Sequence, residues 1–234
     1  MHAYFSVSIF TNHLCPVYLN IHTHFPTGLP GTVEIESVYF GQSKIPSADQ
    51  RSVGLHPWYL NAGDMDAAFD WLVGQAAEPA VVAIGEAGLD KVCTTPWDLQ
   101  VLAFQRCVEV SERVCKPLVL HCVRAFSEMI AFKKAWKPRQ TWIFHGFEKN
   151  KTTADMLLRA GCKLSFGAGL FRANSPAPES LRALPSGQFF LETDDSTHTI
   201  EEVYLRAAEI RNMPVEDLTR ELAEQFFELI KNPR

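Results

Sequence analysis

Apolar positions along the chain fall into two alternating patterns. Short apolar runs occupy residues 16–19, 35–40, 52–55, 80–84, 118–120, 141–144, 163–166 and 189–191. Several are bounded by Gly or Pro and rich in Val, Ile or Phe, as strands buried on both faces are. Between them lie stretches with helical spacing. Trp97, Val101, Phe104 and Val108 recur at intervals of four, three and four, which predicts one face of a helix running to about Val114. Thr95 before Pro96 predicts its N-cap, with Pro at the first helical position. Met156, Leu157 and Ala160 predict a shorter helix closed by Gly161. Two further faces follow: Ile200, Val203, Tyr204, Ala207 and Ile210, then Leu218, Leu222, Phe226 and Leu229.

Strand–helix alternation predicts a parallel sheet with helices outside it. Eight strands predict a closed TIM (β/α)8 barrel, for which 234 residues is toward the short end. Residues 24–51 hold Pro26, Gly28, Pro30, Gly31, Gly41 and Pro46, so one helix is expected to be missing or replaced by a loop near residues 25–50. No repeat or linker divides the chain, and residues 1–234 are read as one barrel domain. Residues 1–15 carry no pattern that assigns them to it.

Composition narrows the function classes. Hydrophobic residues make up 47% and charged residues 21%, the balance of a globular chain. Net charge is −5, from 22 basic and 27 acidic residues, which argues against the broad positive surface of a non-specific duplex binder. Six cysteines show no C-x-x-C spacing, so reduced thiols in a cytoplasmic protein are expected. Residues 1–15 lack the basic and apolar regions of a signal peptide, and no apolar run is long enough to span a membrane. No obligate protein partner is indicated.

The candidate chemistry stands at the ends of the apolar runs. His22 and His24 alternate on a predicted strand and can face one point. Glu86 ends the fourth run, His121 the fifth and His145 the sixth; Asp194 lies just beyond the eighth. In parallel α/β folds ligands bind at the carboxyl ends of the strands. Five strands would thus deliver four imidazoles and two carboxylates to one rim, the residue types that hold divalent metal ions.

Six blocks occur in order: His22-Thr-His24, Ser52-Val-Gly-Leu-His-Pro57, Ala83-Ile-Gly-Glu-Ala-Gly-Leu-Asp90, His121-Cys-Val-Arg-Ala125, His145-Gly-Phe147 and Leu191-Glu-Thr-Asp194. Together they resemble the TatD-like metal-dependent hydrolases, many of them deoxyribonucleases. The resemblance implies one to three divalent ions, with two the working expectation and Zn, Mn or Mg the candidates. His22, His24 and Asp194 would serve one ion, His121 and His145 another, and Glu86 would bridge them. His56 and Arg124 would face the substrate phosphate. Asp194 and Glu86 would be the catalytic carboxylates in metal-assisted phosphodiester hydrolysis of DNA. The chain departs from the family's usual pattern at Asn20, Lys91 and Glu148, and in the short stretch after Asp194; all six metal-ligand positions are kept. Two other readings fit the same residues: a barrel hydrolase acting on a small phosphoester, ester or amide, and a non-catalytic metal-binding barrel working through a partner.

Overall fold

A computed structural model describes residues 17–231. Residues 1–15 and Pro16 of the first apolar run lie outside that range. Eight parallel strands pair in sequence order. They are β1 (Tyr18–Thr23), β2 (Thr32–Tyr39), β3 (Gln50–Gly54), β4 (Val81–Asp90), β5 (Leu118–Val123), β6 (Trp142–Phe144), β7 (Lys163–Phe166) and β8 (Phe189–Leu191). The ring closes between β8 and β1 through a parallel bridge of Thr23 with Asp194. There the Asp194 amide donates to the His22 carbonyl at 3.1 Å, and the His24 amide donates to the Asp194 carbonyl at 3.1 Å. All eight predicted runs become strands of a (β/α)8-type barrel.

Among the described residues seven α-helices accompany them: α1 (Met65–Ala76), α2 (Trp97–Val114), α3 (Phe126–Trp136), α4 (Lys151–Arg159), α5 (Ala177–Ala183), α6 (Ile200–Arg211) and α7 (Val215–Lys231). The predicted face of α2 is buried at Phe104 and Val108. Its N-cap is Pro96 rather than Thr95, without a side-chain cap. The φ fixed by the proline ring suits the residue just before the first helical turn as well as the first residue within it. Gly161 follows α4 in the left-handed region at φ 73°, as predicted. Thr199 and Glu202 form a reciprocal capping box that starts α6. The short apolar spacings of α1, α3 and α5 carry no distinct signal in the sequence.

The barrel lacks two helices, not one. Both the β1–β2 and the β2–β3 connections are loops. Two buried carboxylates on β2 tie them down. Glu34 accepts from the backbone amides of Thr27, at 2.8 Å, and Gly28, also at 2.8 Å. Glu36 accepts from the amides of Ser47 at 2.7 Å and Ala48 at 2.9 Å, and pairs with Lys44 at 3.0 Å. Loop amides that a helix would have satisfied internally are satisfied by these side chains instead.

Two apolar clusters hold the layers. The larger joins the helices to the outside of the strands, with Phe104, Trp142, Phe166 and Tyr204 among its fully buried members. The smaller takes Ile35, Val82, Ile143 and Phe190 from the alternate strands β2, β4, β6 and β8, with Leu19 and Ile21 of β1, around Phe226 of α7. Layers drawn from alternate strands are how such barrels are filled. On β2, Glu34 and Glu36 alternate with Ile35 and so lie on the opposite face.

Candidate metal centre

Glu86 is the hub of the rim, and the backbone around it is built to put it there. Strand β4 carries an extra residue relative to β5 between Ile84 and Ala87. Such a bulge re-aims a side chain. The glycines flanking Glu86 permit it: Gly85 and Gly88 sit at φ 145° and 148°, and a Cβ there would meet the carbonyl oxygens of Val119 at 2.3 Å and His121 at 2.0 Å. Only glycine fits both positions.

Five imidazoles converge on the Glu86 carboxylate. Its Oε2 lies 3.4 Å from His22 Nε2 and 3.5 Å from His24 Nε2. Asp194 Oδ1 lies 3.5 Å from each of the same two nitrogens. Glu86 Oε1 meets His121 Nδ1 at 2.8 Å, His145 Nε2 at 2.8 Å and His56 Nε2 at 3.1 Å. All six residues expected to hold metal are thus gathered at one point, together with His56.

The spacing of the first group fits a cation. Four donors arranged tetrahedrally at metal–ligand distances of 2.0–2.1 Å stand about 3.3 Å apart. That is longer than an ideal hydrogen bond and close to the four distances just given. Nε2 of buried His22 is without a hydrogen-bond partner, a costly state for a buried imidazole nitrogen that a ligated ion would relieve.

The electrostatics follow from this crowding. Burial favours a neutral Glu86, but His145, His121 and His22 outweigh it and hold the carboxyl well below its usual range. Burial and His145 disfavour charge on His22, but Asp194 and Glu86 raise it to about 9. Burial likewise opposes ionisation of Asp194, and His22 brings it down to about 2. For His56, burial prevails and lowers its pKa. The backbone amide of Trp58 donates to His56 Nδ1 at 3.1 Å, which leaves Nε2 to carry the proton toward Glu86 in the neutral ring.

Two further carboxylates were not foreseen. Asp90 Oδ2 stands 3.1 Å from His121 Nε2 and accepts from Trp58 Nε1 at 2.6 Å. Glu192, fully buried, accepts from the Gly146 amide at 2.6 Å and lies 3.6 Å from His145 Nδ1. Carboxylates on the far nitrogen of an imidazole fix its tautomer and orientation. Their sequence signal was their place in the two blocks of Glu86 and Asp194, four residues after one and two before the other. Asn20 supports the same rim from beneath. Its side-chain amide donates to Thr193 Oγ1 at 2.8 Å and accepts from the Thr193 backbone amide at 3.0 Å, which braces the turn that presents Asp194. Glu148 pairs with Arg172 at 2.5 Å.

A cleft of about 400 Å³ opens onto the cluster. His24, His56, Glu86, His121, His145 and Asp194 line it, with Phe25, Tyr39, Lys44, Trp58 and Tyr59 around its rim. Arg124 is exposed in a left-handed conformation at φ 55° and is not among the lining residues.

A parallel barrel with imidazoles and carboxylates gathered at its strand ends is the architecture of barrel metalloproteins. The family described as TatD related DNase matches residues 43–231, and the chain belongs to it. His22 and His24 precede the matched range, so their part in the site rests on the geometry above. The chain is 28% identical to the 3'-5' ssDNA/RNA exonuclease TatD of Edwardsiella piscicida over 173 residues, covering 72% of this chain and 65% of that one. It is 32% identical to an uncharacterized metal-dependent hydrolase TatD of Mycobacterium tuberculosis, covering 61% and 56%. It therefore spans less than two thirds of the length of these relatives. The fold is similar to that of the TatD homologue YJJV of Escherichia coli K12, with TM-score 0.69 at 22% identity over 79% of this chain and 77% of that one.

Proposed function

We propose that this protein is a metal-dependent hydrolase that cleaves phosphodiester bonds of single-stranded nucleic acid, DNA foremost. The observation that carries the reading is the group of His22, His24, Glu86 and Asp194, in which each imidazole Nε2 stands 3.4–3.5 Å from both carboxylates. Two divalent ions suit the residues: one with His22, His24 and Asp194, a second with His121 and His145, and Glu86 between them. Four imidazoles favour Zn or Mn, and the carboxylates leave room for Mg.

When bound, such ions supply Lewis acidity toward the phosphoryl oxygens and toward the attacking water. The chain's own residues do the rest. Asp194 lines the cleft, so it is placed to accept the proton of that water. Glu86 holds the imidazoles of four strands around one point. Asp90 and Glu192 keep His121 and His145 in fixed orientation. His56, which lines the cleft, and Arg124, just past the end of β5, are the residues that would face the substrate phosphate. The exonuclease named among the relatives acts on single-stranded DNA and RNA, which supports this substrate class.

A second reading, hydrolysis of a small phosphoester, is favoured by the acidic lining. Lys44 is the one Lys or Arg among the described residues that line the cleft. Chelator-sensitive hydrolysis of single-stranded DNA beside bis-p-nitrophenyl phosphate separates the two. Cleavage of DNA is expected; activity on the small ester alone would move the assignment to the second reading. Bound metal without either activity would leave a binding protein. Glu86→Ala is expected to lose bound metal and turnover together, read by elemental analysis and by rate. Unchanged metal content would remove Glu86 from the bridging role.

A further inference from the structure

Beside the metal centre lies a group of aromatic side chains that the hydrolytic chemistry does not use. Phe25 is 66% exposed, Trp58 55% and Tyr59 50%, although all three line the cleft. Large exposed aromatics at the mouth of a site are a recognition surface more often than an accident of packing.

These rings are held in place. Trp58 donates its indole N–H to Asp90 Oδ2 at 2.6 Å and stands edge-on to His56 and His121, with ring centroids 5.1 Å and 5.5 Å away. Tyr59 stacks on Tyr39 at 4.3 Å with their planes 17° apart. Phe25 carries the Lys44 ammonium 5.7 Å from its ring centroid. Immobile rings lose little entropy when a flat ligand lies on them.

The charge balance says what kind of flat ligand. Lys44 is already paired with Glu36 at 3.0 Å, while Glu86, Asp194 and Asp195 also line the cleft. Counter-ion release from a polyanion cannot supply much affinity here. Stacking can, because every nucleobase has a π-face and the contact needs no net charge. A cleft of this volume, within the range of small-molecule sites, suits the unpaired end of a strand and not a duplex.

We infer that Trp58, Tyr59 and Phe25, which line one cleft, form a stacking platform for unpaired nucleobases next to the scissile phosphate, and that this platform selects single-stranded nucleic acid. The inference rests on the phosphodiesterase reading for its biological meaning, but it is tested separately from it.

The test uses a fluorescein-labelled decathymidylate and a strand of equal length in which tetrahydrofuran replaces every nucleoside. Binding is read by anisotropy in EDTA, and cleavage in Mn²⁺. Wild type is expected to bind the base-bearing strand about tenfold more tightly, within the range for a stacked base. Trp58→Ala and Tyr59→Ala should each bring thymidylate toward the abasic level, and Trp58→Phe should keep most of the preference. Equal binding of the two strands by wild type would overturn the platform. So would a Trp58→Phe defect equal to that of Trp58→Ala, since the indole bond to Asp90, and not stacking, would then be what Trp58 supplies. If the base preference is found but neither strand is cleaved, the platform stands and the phosphodiesterase reading fails.

Discussion

From β3 to β8 the barrel wears helices; from β1 to β3 it wears loops. The helical side is held by apolar contact: α1 packs Leu72 and Ala76, and α2 packs Phe104 and Val108, into one continuous cluster. The loop side is held by polar contact, through Glu34 and Glu36 and the four backbone amides they accept from. Apolar burial is insensitive to local geometry and charge; carboxylate tethers depend on both. The loop side is also the side that brings Phe25, Tyr39 and Lys44 to the cleft. A helix in either connection would have fixed that rim by packing, and short tethered loops instead shape it residue by residue.

The largest effect should come from breaking the helical side. Phe104 is fully buried and meets both Trp136 and Trp142. Phe104→Ala should cost about 3–5 kcal/mol in urea unfolding, as a large aromatic truncation in a packed core does. A loss under about 1 kcal/mol would show that the two sides do not differ in the way described.

Metal addition should come next, because it acts where the two sides meet. His22 lies on β1 and Asp194 follows β8, across a seam that a single bridge closes. Saturation with Zn²⁺ or Mn²⁺ at about a hundred times its dissociation constant should stabilise the fold by about 2.7 kcal/mol. The amides of His24 and Asp194, which close the seam, should gain hydrogen-exchange protection. Protection confined to other strands would place the ion elsewhere. Binding to the imidazoles should also release protons, since a nitrogen must be deprotonated to ligate.

The helical side was the more legible in the sequence, and for a physical reason. Apolar burial leaves periodic marks: Trp97, Val101, Phe104 and Val108 announce α2, and eight apolar runs announce eight strands. The metal-type residues were legible because strand ends in a parallel barrel share one rim. The tethers left no such mark. Glu34 and Glu36 read as ordinary alternation on β2, and nothing local shows that they accept from amides 6 to 12 positions further along or back. The Pro and Gly content of residues 24–51 therefore foretold a missing helix without showing that both connections lack one. Asp90 and Glu192 were illegible as partners of His121 and His145 because those pairings are set by the β4 bulge and the β8 turn.

Breaking the loop side should cost less. Glu36→Gln keeps the shape but gives up the ion pair with Lys44 and weakens the two amide bonds. About 1–3 kcal/mol is expected from hydrogen bonds to a buried charged group. Exchange in residues 41–49 should quicken while exchange in α2 stays unchanged. If both regions loosen together, the tether is part of the global fold and not a local clasp.

Acid gives the gentlest version of the same experiment. Burial pushes the Glu36 carboxyl up, but the Ala48 amide, Lys44 and the Ser47 amide hold it below its ordinary value. A carboxyl depressed in the folded state contributes stability above its unfolded pKa, near about 4.3, and loses it as pH falls through the lower folded value. Opening of residues 41–49, corrected for intrinsic exchange, should therefore be flat from neutral pH to about 5 and increase below about 4. In Glu36→Gln the same segment should show no such step. A step of equal size in the variant would mean that another group titrates beneath the loop, and the contrast between a packed side and a tethered side would lose its electrostatic half.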